Sequence, residues 1–359
     1  MGIQIRPEAT TLPVYRPGRR PPVVDGRPTY KLSSNENPYP PLAGVLDAAT
    51  RACEEMNRYP DMGMSTLTQT LAERLGVPPE RIAFGTGSVA VLYQLLAVLD
   101  RSDAEVVYAF RSFEAYPIAI QLSGAAGVPV PLTDTYEHDL TAMLAAITPA
   151  TVAVLLCTPN NPTGPALRQT DVEAFLDRVP TDVAVVIDEA YLEFIDDPAA
   201  VAGVTLLDRE NVIVLRTFSK AYGLAGLRVG YCLGAPEVTQ VVRAAATPFG
   251  VTNMAQAAAL ASLAAEADLR ERVEELVRRR AVMLKGFREL GFEVPDTQAN
   301  FVWLPAGPAT QAWADTFAAA GVMVRPYASG SSCHGIRVTV GESEANDLVL
   351  EVAATLRSP

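Results

Sequence analysis

Short apolar runs alternate with longer stretches of helical spacing along most of the chain. Glu105–Phe110, Val128–Pro131, Val152–Cys157, Val183–Ile187 and Val212–Leu215 are apolar with no polar alternation. Strands of that kind are covered on both faces, as in a mostly parallel sheet. Between them, Tyr116–Ser123, Leu140–Ile147 and Asp171–Arg178 read as helices. Helices are also predicted over Leu42–Met56, Ser65–Leu75 and Val89–Leu99, with Gly76 stopping the second and a strand at Arg81–Phe84. The expected fold class is α/β, a mostly parallel sheet covered by helices.

Beyond Ala235 the pattern changes. A helical stretch, Ala255–Leu290, carries an Arg/Glu-rich face. A strand at Asn300–Leu304, a helix at Ala309–Ala320, short strands at Val322–Val324 and Ile336–Val340, and a helix at Glu342–Leu356 follow. This set reads as a smaller αβ domain. The start of the chain, rich in proline and arginine, reads as an extended arm lying on another surface. The expected division is an arm over 1–41, a large domain over 42–245 and a small domain over 246–359.

Composition narrows the function. The net charge of −12 over 359 residues argues against a nucleic-acid partner. No apolar stretch is long enough for a signal peptide or a membrane span, so a soluble, cytoplasmic protein with no membrane partner is expected. Cys53, Cys157, Cys232 and Cys333 are too far apart in sequence for a zinc knuckle or redox pair, and no metal site is expected. With only His138 and His334 present, proton transfer falls to lysine, tyrosine or a carboxylate.

Parallel sheets bind ligands beyond the carboxyl ends of their strands. That rule selects Gly85–Ser88, Arg111–Phe113, Thr158–Thr163, Asp188–Tyr191 and Thr217–Lys220. Each motif alone has an ordinary reading: a βα turn, a Pro-Gly turn, a helix cap, a lysine at a strand end. Together they match the needs of pyridoxal phosphate. Its aldehyde needs a lysine amine, Lys220, whose pKa falls among apolar groups. Its ring nitrogen needs a carboxylate, Asp188. Its phenolic oxygen needs donors, Asn161 and Tyr191. Its phosphate needs the amides of Gly87, Ser88 and Val89, the Ser219 hydroxyl and the Arg228 guanidinium. Phe113 supplies a stacking ring. A cis Asn161–Pro162 bond is expected to aim the Asn161 side chain.

Here the sequence resembles the fold-type I pyridoxal-phosphate aminotransferases, in the group that includes histidinol-phosphate and aromatic aminotransferases. SNENPYP, NRYPD, GTGS, CTPNNPTG, IDEAY, RTFSKAYGLAGLRVGY, ANFVWLP and IRVTVG carry the resemblance in the family's order. RSFEAYP, QANFVWLP and VRPY bring it nearest to the actinobacterial-type aromatic (phenylalanine) enzymes. The resemblance implies a homodimer in which Tyr59 reaches the partner's cofactor phosphate. It implies that Arg337 holds the substrate's acidic group, with Asn161, Tyr15, Asn35 and Arg325 around the substrate. The implied reaction moves the amino group of phenylalanine or tyrosine to 2-oxoglutarate, with Lys220 carrying the Cα proton. Tyr15, Phe113 and Phe249 would offer flat apolar surface to the side chain. The alternative is a histidinol-phosphate aminotransferase, with Arg325, Arg337 and Arg16, Arg19 or Arg20 meeting the phosphate. A regulator carrying such a domain would need a DNA-binding part, for which the chain has no spare length. A decarboxylase or lyase on the same cofactor would share these residues. Two departures stand out: Phe113 replaces a common tyrosine, and the 328–335 loop looks longer than usual.

Overall fold

The computed structural model describes residues 3, 7–15, 17–18, 21, 26, 28–99, 103–330 and 333–356. Arg16, Arg19 and Arg20 therefore lie outside the described residues. Among the described residues, one sheet has seven strands. Their spatial order is Ile82–Gly85, Gly230–Leu233, Val212–Thr217, Ala184–Asp188, Thr151–Cys157, Glu105–Phe110 and Ala126–Pro131. All run one way except Gly230–Leu233, antiparallel to both neighbours. The central strands are buried on both faces, which explains their unbroken apolar runs.

The antiparallel strand, and the helix Pro236–Ala244 after it, had no counterpart in the sequence pattern. Three residues between Gly230 and Gly234 give too short a run to register against the glycine-rich stretch before it. The expected helix over Ala255–Leu290 is two helices, Asn253–Ala264 and Glu266–Glu289. They part at Ala265, where neither glycine nor proline marks the break. Thr252 caps the first by accepting from the Ala255 amide. Ser65–Leu75 ends as expected, with Gly76 left-handed at φ 67°.

A second, antiparallel sheet orders Arg325–Tyr327, Gly335–Thr339 and Phe301–Pro305. Tyr30–Lys31 pairs in parallel with Val322–Met323. The segment that follows, residues 33–37, then passes between the two sheets as a strap. Asn35 joins them: its amide donates to Thr339 Oγ1 (3.0 Å) and its Nδ2 to the Tyr191 hydroxyl (2.9 Å). Among the described residues, no helix is long and apolar enough to cross a membrane.

Candidate active site

A cavity of about 340 Å³ opens at the carboxyl ends of the large sheet's strands, closed on the far side by the strap and by Arg337. A larger depression of about 1060 Å³ lies elsewhere, beside His138 and Arg280, and holds none of the selected cofactor residues.

Asp188 ends its strand and is 6% exposed. Its Oδ2 accepts from the Tyr116 hydroxyl at 2.8 Å. Its Oδ1 has no partner among the described residues. Burial raises the carboxyl pKa to about 6, and the Tyr116 bond opposes that rise. The adjacent Glu189 is instead neutralised by Arg216 at 2.8 Å. Asp188 is thus a buried acceptor kept open towards the cavity, which a ring N–H⁺ would satisfy.

Lys220 follows the next strand. Its Nζ donates to the Ser34 carbonyl (3.2 Å) and lies 5.7 Å from the centre of the Tyr191 ring. Burial, then the positive charges of Arg337 and Arg228, lower its pKa to about 7, against the pull of Glu36 and Asp188. A sizeable fraction is a neutral amine near pH 7, as a nucleophile requires.

The phosphate end is built from backbone. Gly87, at φ 91°, precedes the helix Ser88–Val98 and turns its first amides outward. A Cβ at Gly87 would run into the Arg228 guanidinium, and one at Gly230 would collide with the Ser88 amide nitrogen. Arg228 Nη1 donates to the Ala225 carbonyl at 3.0 Å and lies 3.5 Å from Ser219 Oγ. Gly87, Ser88, Ser219 and Arg228 thus converge, with Val89 on the cavity wall.

Tyr191 is buried, and burial raises its pKa above the ordinary tyrosine range, so the hydroxyl stays protonated. It accepts from Asn35, which leaves its own proton to donate. Asn161 Oδ1 accepts from Arg337 Nη1 at 2.6 Å, and the Asn161–Pro162 bond is cis. Arg337 also donates to the Ser33 carbonyl (2.7 Å) and the Tyr327 hydroxyl (3.1 Å), and its Nε has no partner among the described residues. Phe113 lines the cavity.

Asn35, Arg325 and Tyr15 line the cavity, whereas Tyr59 and Phe249 do not. Asn35 is fully buried, and its bonds to Tyr191 and Thr339 make it a brace between the sheets. Arg325 lines the cavity but pairs with Glu114 at 2.6 Å. Tyr15 lines the mouth and is half exposed. Tyr59 is 80% exposed and stacks on Phe249 with centroids 4.5 Å apart. Neither Tyr59 nor Phe249 lines the cavity of its own chain, so the ring surface expected from Phe249 is absent there. Of the loop expected to be long, Ser329 and Cys333 are held by Arg111, which donates to the Cys333 carbonyl (3.2 Å) and the Ser329 carbonyl.

Sequence reasoning also missed residues. Tyr116 lies within RSFEAYP, but nothing in that motif marked it as a partner of Asp188. Asn160 was passed over for its neighbour Asn161. It braces the 158–164 loop by accepting from Ser112 Oγ (2.8 Å) and donating to the Arg111 carbonyl (3.1 Å) and Thr163 Oγ1 (2.7 Å).

Residues 27–352 match the family model for aminotransferase class I and II. The chain belongs to that family. An aromatic amino acid aminotransferase of Streptomyces coelicolor is 52% identical over 355 residues, spanning 99% of this chain and 98% of the relative. One of Streptomyces avermitilis is 53% identical over the same shares. The histidinol-phosphate aminotransferase of Sinorhizobium meliloti, solved with pyridoxal-5'-phosphate, superposes with a TM-score of 0.89 at 29% identity, covering 99% of both chains. An aspartate aminotransferase double mutant of Thermus thermophilus gives 0.81 at 25%, over 90% and 91%. The α/β architecture and the aminotransferase resemblance expected from the sequence are those of this family.

Proposed function

We propose that the chain is a pyridoxal-phosphate-dependent aromatic amino acid aminotransferase that passes the amino group to 2-oxoglutarate. The carrying observation is identity above 50%, over nearly the full length of both chains, to relatives of that activity. The open Oδ1 of Asp188, the Lys220 amine and the Gly87–Arg228 cup supply the fit to the cofactor.

When bound, pyridoxal phosphate supplies the electron sink that makes the substrate's Cα–H acidic. The protein does the rest. Gly87, Ser88, Val89, Ser219 and Arg228 hold the phosphate. Asp188 Oδ1 accepts from the ring nitrogen, and Tyr191 and Asn161 donate to the phenolic oxygen. Phe113 covers one ring face. Lys220 Nζ, neutral above about pH 7, takes and returns the Cα proton. Arg337 offers a planar fork to the substrate carboxylate.

The side-chain end favours an aromatic substrate. Tyr15 and Phe113 present ring surface, and burying an aromatic side chain contributes about 2 kcal/mol. A phosphate there would need several free cations. Among the described residues Arg325 is tied to Glu114. The second carboxylate of 2-oxoglutarate also needs a cation, so an arginine at the cavity does not by itself favour the phosphate substrate.

Comparing kcat/KM for phenylalanine and histidinol phosphate, each with 2-oxoglutarate, tests the reading. Phenylalanine is expected to be favoured, and a preference for histidinol phosphate would overturn it. Arg337→Ala is expected to raise KM for the amino acid about ten- to hundredfold, the worth of a charge-assisted contact. An unchanged KM would place the carboxylate elsewhere.

The proposed functional unit is a homodimer. Tyr59 is exposed, paired with Phe249, and shares the 46–62 region with exposed Leu46, Met56 and Met62. Such apolar exposure suits an interface, where Tyr59 would reach the partner's phosphate cup. Sedimentation of the active enzyme at assay concentration is expected to show a dimer. A fully active monomer would refute it.

A further inference from the structure

We propose that Tyr116 is a positioning residue for the cofactor site, acting through Asp188. The inference rests on the pyridoxal-phosphate reading above and adds a residue to it. Tyr116 opens the helix Tyr116–Ser123 and is 1% exposed. Its amide donates to the Phe113 carbonyl at 2.9 Å, which fixes where the ring stands.

Two parts of this side chain serve two neighbours. The hydroxyl donates to Asp188 Oδ2 at 2.8 Å. An ionised carboxylate only accepts, so the proton on this bond belongs to the tyrosine. With Oδ2 occupied, Oδ1 is the oxygen without a partner among the described residues, and Asp188 lines the cavity. Turning the carboxylate would break the Tyr116 bond inside a buried site, where an unmade bond is expensive. The open oxygen is therefore held in place before any ligand arrives. The ring of Tyr116 meets Phe113 edge-to-face, with centroids 5.6 Å apart and an 82° interplanar angle. The same residue thus sets the carboxylate for one atom of the ligand ring and steadies the aromatic group that covers its face.

The two contacts are separable, because Tyr116→Phe removes one oxygen and leaves the ring contact. The test measures pyridoxal phosphate affinity by titrating cofactor-free protein, for the native chain, Tyr116→Phe, Asp188→Ala and the double variant. Tyr116→Phe is expected to weaken binding roughly tenfold, as for loss of a hydrogen bond to a charged group. In the Asp188→Ala background the same change is expected to alter affinity by no more than about twofold. Steady-state kinetics of the cofactor-saturated Tyr116→Phe enzyme should show a lower kcat with an unchanged KM for the amino acid. Native affinity in Tyr116→Phe, or equal weakening in both backgrounds, would overturn the inference and leave the cofactor reading intact. A native chain that binds no pyridoxal phosphate would overturn both.

Discussion

Lys220→Ala is expected to lose covalent capture of pyridoxal phosphate and to cut turnover by roughly four orders of magnitude, the upper range for a positioned acid–base group. Neither histidine is placed to substitute for it. Among the described residues, His138 is buried with Nε2 at 3.1 Å from Asn160 Oδ1, and burial lowers its pKa to about 4. His334 is half-buried, with Nε2 at 2.9 Å from the Gly330 carbonyl. Neither lines the cavity. The pH dependence follows from the lowered lysine pKa. Below about pH 7 Nζ is protonated and cannot attack an aldehyde, whereas above it the neutral form dominates. The rate at which cofactor-free protein captures pyridoxal phosphate should therefore rise through about pH 7 and level off above. Visible absorption after stopped-flow mixing measures both effects. A Lys220→Ala protein with near-native turnover would remove the lysine from the chemistry.

Asp188→Asn is expected to lower kcat by about 10²–10³, the cost of removing one preorganised electrostatic partner. The same substitution should make the cofactor-free protein more stable at neutral pH. Burial raises the folded-state pKa of Asp188 from 3.8 to about 6, so between those values the folded state holds more protons than the unfolded. Stability from this group therefore falls as pH rises from 3.8 to 6 and stays low above. Asparagine avoids the ionisation and can still accept from Tyr116. Thermal unfolding at pH 7 should show a higher midpoint for cofactor-free Asp188→Asn than for the native protein, and the gap should close towards pH 4. Equal midpoints at pH 7 would show that Asp188 is not a strained, functional carboxylate. Opposite changes in turnover and stability distinguish a site residue from a structural one.

What could be read from the sequence was local. Asp188, Asn161 and Lys220 each stand where an apolar strand stops, and one-dimensional patterning marks that junction. Gly87 and Arg228 were legible because a backbone turn against a cation needs residues of those types. Contacts made across the chain left no pattern. Nothing near Tyr116 announces a carboxylate 72 positions away, and nothing near Arg325 announces Glu114 at a distance of 211. Phe249 was placed by its apolar character alone, which does not say which surface an aromatic ring will share. The strand Gly230–Leu233 was hidden by its shortness, and the break at Ala265 by the absence of any residue that breaks helices.

The strap between the sheets joins parts of the chain far apart in sequence. Asn35 meets Thr339, and Ser33 meets Arg337, each across 304 residues, whereas Asn161 and Arg337 are 176 apart. Loop-closure entropy grows only with the logarithm of length, so the longer closure costs about 0.5 kcal/mol more than the shorter. The burden falls on rate, because such contacts repay nothing until the chain ends have found each other. The phosphate cup, from Gly87 to Arg228, is also a long-range closure but spans fewer residues than the strap's contacts. Lys220 is different: its low pKa depends on burial beneath the strap and on the charge of Arg337. Without the strap and Arg337 in place, Lys220 would lose part of the burial and charge that lower its pKa. The groups that make the amine reactive, the strap and Arg337, are thus the same groups that complete the substrate end of the cavity.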